Sequence, residues 1–387
     1  SARTALNGDT AAQNGLANAF AAFLLDVPSG YSRDLKILDK VGTQHYAYFT
    51  FIQDNWQATQ KLTLNLGLRH EYYTPLVGLV SKGGLSNYNP ADNTERIAGY
   101  GNIAQNVGVK GTWRNFAIRS GASYRLSDKT VIRAGYGESI IPFPDNSYAF
   151  NFPVKQNNQL NAANAFAPIG SLAAGFSTPT VFAIPDNGII DANLAILKNS
   201  ALYYAPSDLR EGKLHSYNVA FQRELPFSFT AEAAYVGNIG RGILANFNLN
   251  AANQLGLAAP GNDNAARPLF ATFGRTADVT TRVRTETKYD SLQIKVDRRF
   301  NKGLLVTSNY TLSKAISESG DDNGGIDTPA DRKLARGRAG FDRTHSFNSS
   351  FVWQIPFASK TRGLMKWALD GWQVTGILTI QSGTPLD

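Results

Sequence analysis

The sequence predicts an all-β protein, an antiparallel up-and-down transmembrane β-barrel, and three observations carry that prediction. Apolar and polar residues alternate through about ten segments, tight and very long connections between those segments alternate in turn, and the composition favours strands over helices.

The 387 residues include Gly 35, Tyr 16, Phe 22 and Trp 5 against Met 1 and Cys 0. Strand-forming aromatics and turn-forming glycine are plentiful, while flexible core filler is scarce. No window approaches the roughly 18 consecutive apolar residues of a transmembrane helix. The mean hydropathy of -0.24 suits barrel strands instead, because lipid-facing and lumen-facing side chains average out along each strand. The lack of cysteine excludes disulfide staples and thiolate metal sites. A net charge of +8 and a pI of about 9.4 permit nucleic-acid binding. The basic residues are scattered, however, with no basic helix, zinc spacing or RNP-type motif, so nucleic acid is not an expected partner.

The first hairpin joins residues 45–56 to 61–73, where Leu62, Leu64, Leu66 and Leu68 hold one parity and Thr63, Asn65, Gly67, Arg69 and Glu71 the other. The second joins 115–126 to 130–140, the third 214–224 to 228–239, and the fourth 289–300 to 304–314, each across about three turn residues. A fifth joins 344–355 to 369–381 by a somewhat longer link and carries Phe347, Phe351, Trp353, Trp372 and Ile380. Between hairpins lie 74–114, 142–213, 240–288 and 317–343, about 25 to 70 residues each where compact domains use about 5. Short turns at one end and long loops at the other are the layout of outer-membrane barrels, with the turns periplasmic and the loops extracellular. Trp56, Tyr72, Tyr73, Trp353 and Trp372 lie near strand ends, where interfacial girdles are found.

Ten strands in an open sheet leave two unpaired edges in lipid, so a larger closed barrel is expected. The chain opens at Ser1 without an initiator Met or signal peptide, which reads as a fragment or processed chain, with residues 20–25 in an earlier loop or strand.

Gln53-Asp54-Asn55-Trp56 followed by the run Leu62 to Tyr72 resembles TonB-dependent receptors of the Oar-like group. Thr130 to Gly137, Tyr289 to Gln293, Tyr310 to Lys314, Asp342 to His345 and Gly371 to Gln373 resemble later strands of the same family, in order. The resemblance implies a 22-stranded barrel in the outer membrane of a Gram-negative bacterium. It also implies a plug, an amino-terminal domain and a TonB box that these residues do not include, and a TonB complex as partner through that region. The whole chain, 1–387, is then part of one barrel domain.

The chemistry of the side chains points the same way. His45, His70, His215 and His345 are dispersed and form no triad or zinc spacing, so no enzyme and no cofactor are expected. Gly237, Gly240 and Gly242 follow a strand with no helix signalled afterwards, which makes them a strand-end turn and not a phosphate loop. Asp321, Asp322 and Asp327 offer oxygens suited to Ca²⁺, but without EF-hand order, and a solvated acidic loop is the preferred reading. The nearby Arg332, Lys333, Arg336, Arg338 and Arg343 suit lipopolysaccharide phosphates at the outer surface, beside the membrane lipid itself, though a charge run also suits a plain solvated face. Arg69, Glu71, Arg119, Arg133, Lys295 and Asp297 have lumen parity and are the candidate ligand contacts. The leading function is TonB-dependent uptake of a scarce extracellular ligand. A structural, adhesive or secretion-linked surface barrel is the alternative, and a soluble carbohydrate-binding β-protein a third reading.

Overall fold

The computed structural model describes residues 11–28, 30–38, 42–142, 152–161, 168–175, 180–198, 200–252, 263–301, 303–319, 334–355, 363 and 371–385. Among these, ten long strands follow in chain order: β1 (Ala47–Gln57), β2 (Leu62–Tyr73), β3 (Asn115–Ser127), β4 (Thr130–Ile141), β5 (Gly212–Leu225), β6 (Phe229–Asn248), β7 (Val279–Asn301), β8 (Leu304–Ser317), β9 (His345–Gln354) and β10 (Gln373–Gln381). Each pairs antiparallel with the next in one sheet whose edges are β1 and β10. The five expected hairpins are all present.

Register assigns the two faces, because directly paired residues share a face. Asn65, Gly121, Gly135 and Asn218 form one continuous row across β2 to β5. On the opposite face Leu68 pairs with Ile118, Phe221 with Ile132, and Leu292 with both Tyr235 and Leu312. Leu66 is 49% exposed, Val219 54% and Leu378 50%, so among the described residues no second layer covers this face. A broad sheet surface of bare Leu, Ile, Val and Phe is unfavourable in water and suited to hydrocarbon.

The buried core lies elsewhere, in the long connections. Ser86–Asn89, Thr94–Ile97 and Ile189–Asp191 make a three-stranded sheet, and Leu202–Tyr204 pairs parallel with the start of β7. Tyr88, Ile97, Ile190, Leu197, Leu202 and Val279 pack there as one cluster. A second cluster gathers Leu85, Ala98, Val107, Val109 and Ala205. The Asn87 amide ties the loops together by donating to the Val107 and Ala205 carbonyls, and its oxygen accepts the Ala205 N–H at 2.8 Å. The connections thus form a packed cap over one end of the sheet.

Two boundaries differ from expectation. β6 and β7 run to 20 and 23 residues, so much of 240–288, expected as loop, is strand. Beyond the apolar band their outer positions no longer need apolar side chains, and Arg282, Arg284 and Glu286 alternate with Val283, Thr285 and Thr287 in a pattern that reads as solvated loop. Residues 20–25 belong to neither loop nor strand but to the end of the helix Ala11–Leu24 and the turn after it. The segment is alanine-rich and free of β-branched residues, which favours helix.

The layout fixes an accessibility test in a chain that has no native cysteine. Asn187 and Asp128 are both exposed, one in the cap and one in a tight turn. On intact cells Asn187→Cys should react with an impermeant maleimide and Asp128→Cys should stay protected. The reverse pattern would invert the topology.

Candidate functional site

The inner face carries a polar trough of about 410 Å³ across β1 to β5. Gln53, Asn65, Arg119, Ser216 and Asn218 line it, over backbone left bare at Gly67, Gly121, Gly135 and Gly137. Gly135 makes room for an amide, since a Cβ there would sit 3.1 Å from Asn218 Nδ2, whereas one on Gly121 would make an ordinary contact with Asn65 Nδ2 at 3.7 Å. Arg119 is the charged side chain that faces into it, because Glu138 beside it pairs with His215 on the outer face, and the rest of the lining is uncharged and offers hydrogen bonds.

The six residues expected to face the lumen share this face, yet most are engaged within the wall. Arg69 Nε lies 2.7 Å from Glu71 Oε1, and the Tyr73 hydroxyl donates to Glu71 Oε2 at 2.5 Å. The Arg69 guanidinium also stands 4.7 Å from the Phe49 ring centroid. Arg133 reaches over the small side chain of Ala220 to Glu232 at 3.6 Å, and Lys295 bridges Asp297 at 2.8 Å. Arg119 alone of the six lines the trough. Asp321, Asp322 and Asp327 lie outside the described residues, and among the described residues no cluster of His, Asp and Glu could hold a metal. The trough amides were missed by sequence reading, although glycine beside Asn at lumen parity on adjacent strands was the signal available.

Residues 2–387 match the family described as "Outer membrane beta barrel domain". The chain belongs to that family. No curated protein sequence matches it. Among solved structures, the barrel domain is similar to the alcaligin outer-membrane receptor FauA from Bordetella pertussis, at 12% identity and a TM-score of 0.40, over 88% of this chain and 38% of that one. It is also similar to the FrpB iron transporter from Neisseria meningitidis, at 11% identity and a TM-score of 0.40, over 91% and 35%. For Pseudomonas aeruginosa FpvA bound to heterologous pyoverdines the values are 13% and 0.44, over 88% and 28%. The chain therefore spans less than two fifths of the length of each of these proteins.

In an outer-membrane barrel the apolar band must end at headgroups on both sides, and the outer face shows where. Toward the cap, the Tyr217 and Tyr235 hydroxyls donate to Asp290 Oδ1 at 2.9 and 2.6 Å, with Lys288 2.9 Å from its other oxygen. Tyr136 bonds Glu138 at 3.0 Å and His215 at 2.8 Å, and Tyr310 bonds His345 at 2.8 Å. At the opposite end Trp56, Trp353 and Trp372 are well exposed. Amphipathic rings with polar tips belong at such interfaces. Tyr72 fits the girdle and stacks on Trp113 at 3.8 Å. Tyr73, expected beside it, has the other parity and turns inward to Glu71.

The cap of the barrel domain has a polar centre of its own. Arg275 is 2% exposed. It donates to the Ser200 carbonyl at 2.6 Å and the Leu197 carbonyl at 3.5 Å, and stands 5.4 Å from the Tyr88 ring centroid. Glu95 is fully buried near it; burial pushes its carboxyl up to about 8, against the opposing pull of Ser86 and Arg275. Burial likewise raises the Tyr88 hydroxyl to about 12, and that hydroxyl donates to Asn93 Oδ1 at 2.8 Å. Nothing in the local sequence marks Glu95 and Arg275 as neighbours.

Proposed function

We propose that this outer-membrane barrel domain is part of a TonB-dependent receptor of the Oar-like group in a Gram-negative bacterium, and that it takes up a scarce extracellular ligand. The single observation that carries the reading is the amide-lined trough on the inner wall, below a packed extracellular cap. Neutral hydrogen-bonding groups over bare backbone let a polar solute exchange partners as it moves, without a charge deep enough to trap it. The exposed edges β1 and β10 carry backbone groups that lipid cannot satisfy, so we place these strands in a larger closed barrel, of 22 strands on the resemblance to the Oar-like receptors. The plug and the TonB-contacting segment then lie outside these 387 residues. On this reading Arg119 is the candidate ligand contact among the lumen charges. Arg69, Glu71, Arg133, Lys295 and Asp297 brace the wall, and lipopolysaccharide surrounds the outer girdle.

Asn65→Cys tests the reading, because Asn65 lies inside the trough. In intact cells its reaction with an impermeant maleimide should be slow, and should become faster in energised cells than in cells treated with an uncoupler. A rate independent of energy would remove TonB-driven opening and favour a structural or adhesive surface barrel.

A further inference from the structure

A second cavity, of about 330 Å³, lies on the inner face near the cap end among β6, β7, β8 and the segment after β8, and it neighbours the trough where Asn238 pairs with Ser216. Its existence depends on a β-bulge. Register shifts between Arg241 and Ile243, with Gly242 at φ 68, a left-handed conformation that glycine adopts freely. A Cβ there would meet the Arg284 guanidinium at 2.0 Å, so that flexible side-chain end would have to move aside. The extra residue turns Ile243 onto the inner face, opposite Thr285. Re-aiming one side chain at a barrel rim is a usual consequence of a bulge.

The other wall is strapped in place. Asp342, 3% exposed, accepts the Ala315 N–H at 2.8 Å. Ala339 N–H donates to the Ala315 carbonyl at 3.1 Å, and the Ser313 hydroxyl donates to the Arg343 carbonyl at 2.8 Å. These bonds fix the segment that holds Phe341 at the cavity mouth, where the ring stays 69% exposed. A large aromatic side chain held by a braced backbone over a cavity, and left mostly uncovered by the described residues, is a binding feature more than a folding one.

The lining decides the ligand. Ile243, Tyr289, Ala315, Ala339 and Phe341 supply apolar surface. Most polar groups nearby are already committed. The Thr285 hydroxyl donates to the Ile243 carbonyl at 2.8 Å, the Ser317 hydroxyl to the Ser319 carbonyl, and Lys288 bridges Asp290 on the outer face. The Asn238 amide and the Thr287 hydroxyl remain as polar wall groups. A charged ligand would lose its hydration here without a counter-charge.

We propose that this cavity is a binding site for an uncharged, largely apolar ring system about the size of indole, with at most one or two hydrogen-bonding groups at its edge. The site names a ligand class for the uptake function and rests on that reading only in requiring that the inner face be open to the exterior. A ligand of about nine heavy atoms in such a pocket binds with a Kd of about 1 mM.

The test uses the full protein extracted from outer membranes and placed in nanodiscs, with Thr287→Cys as the reporter and Asn187→Cys as the control. Indole at several millimolar should slow maleimide labelling of Thr287→Cys about fivefold, as the factor 1 + [L]/Kd requires, and leave Asn187→Cys unchanged. Indole-3-acetate and tryptamine, which carry charges, should protect far less. Fluorine NMR of 5-fluoroindole with the cysteine-free protein gives a second measurement should Thr287→Cys not fold. Its signal should broaden with that protein, and Ile243→Trp, which fills the cavity, should abolish the broadening. Absence of protection and of broadening, equal protection by the charged analogues, or equal slowing at both cysteines would each overturn the site. A control cysteine that stays unlabelled on intact cells would instead overturn the topology, so the two failures are distinguishable.

Discussion

Leu66→Lys should destabilise the barrel by about 2–4 kcal/mol, whereas Asn65→Lys, one residue away, should be mild. The reason is parity. Leu66 lies near mid-strand on the bare apolar face, while Asn65 opens into the polar trough. A lysine in hydrocarbon near the bilayer midplane has no water and no counter-ion, and its stem is too short to bring the ammonium to either headgroup layer. In the trough it keeps its hydration. Reversible urea unfolding in lipid vesicles measures both variants against the parent, and equal losses would mean that the faces are assigned wrongly.

The second large effect is expected in the cap. Arg275→Ala should lower cap stability by about 3–5 kcal/mol, since it removes the guanidinium donor of the part-buried Ser200 carbonyl, leaves the buried Glu95 without its nearby positive charge and opens a cavity against Tyr88. Hydrogen exchange at the Ile97 and Ala192 amides, which bond to Gly188 and Asn93, should speed up strongly while the strand amides of β5 and β6 keep their protection. Uniform loss of protection would mean that the cap and the membrane band unfold together. The neighbouring Glu95 adds a pH dependence with a definite sign. Its carboxyl titrates near 8 in the folded cap against an ordinary 4.5, so between those values the folded state holds the extra proton. Cap stability should therefore fall as pH rises from about 4.5 to about 8 and level off outside that window. Glu95→Gln should flatten the curve.

These two predictions differ in how far a reader of the bare sequence could have reached them. The facing of Leu66 is visible in the sequence, because strand periodicity is local and Leu62, Leu64, Leu66 and Leu68 announce it within seven residues. The lumen parity of Arg69, Glu71, Arg119, Arg133, Lys295 and Asp297 follows from the same alternation. Their pairing does not, since Arg133 meets Glu232 only through the register of β4, β5 and β6.

The cap was not legible at all. Its strands are three or four residues long, too short to show a period, and its contacts join distant loops, as Asn87 does to Ala205 across 118 residues. The bulge at Gly242 was equally hidden, because Gly237, Gly240 and Gly242 together read as a strand-end turn, and only pairing with β7 shows that the strand continues through them.

By itself, then, the sequence determined the all-β class, the five hairpins, the end that carries the long loops and the face that meets lipid. All of these depend on residue-to-residue alternation and on short turns. Only the tertiary structure decided that the loops pack into a cap around Arg275 and Glu95, that glycine and amide rows meet as a trough, and that Ile243 and Phe341 face one cavity. Those features arise from register and long-range closure, whose free energy belongs to no single segment of chain.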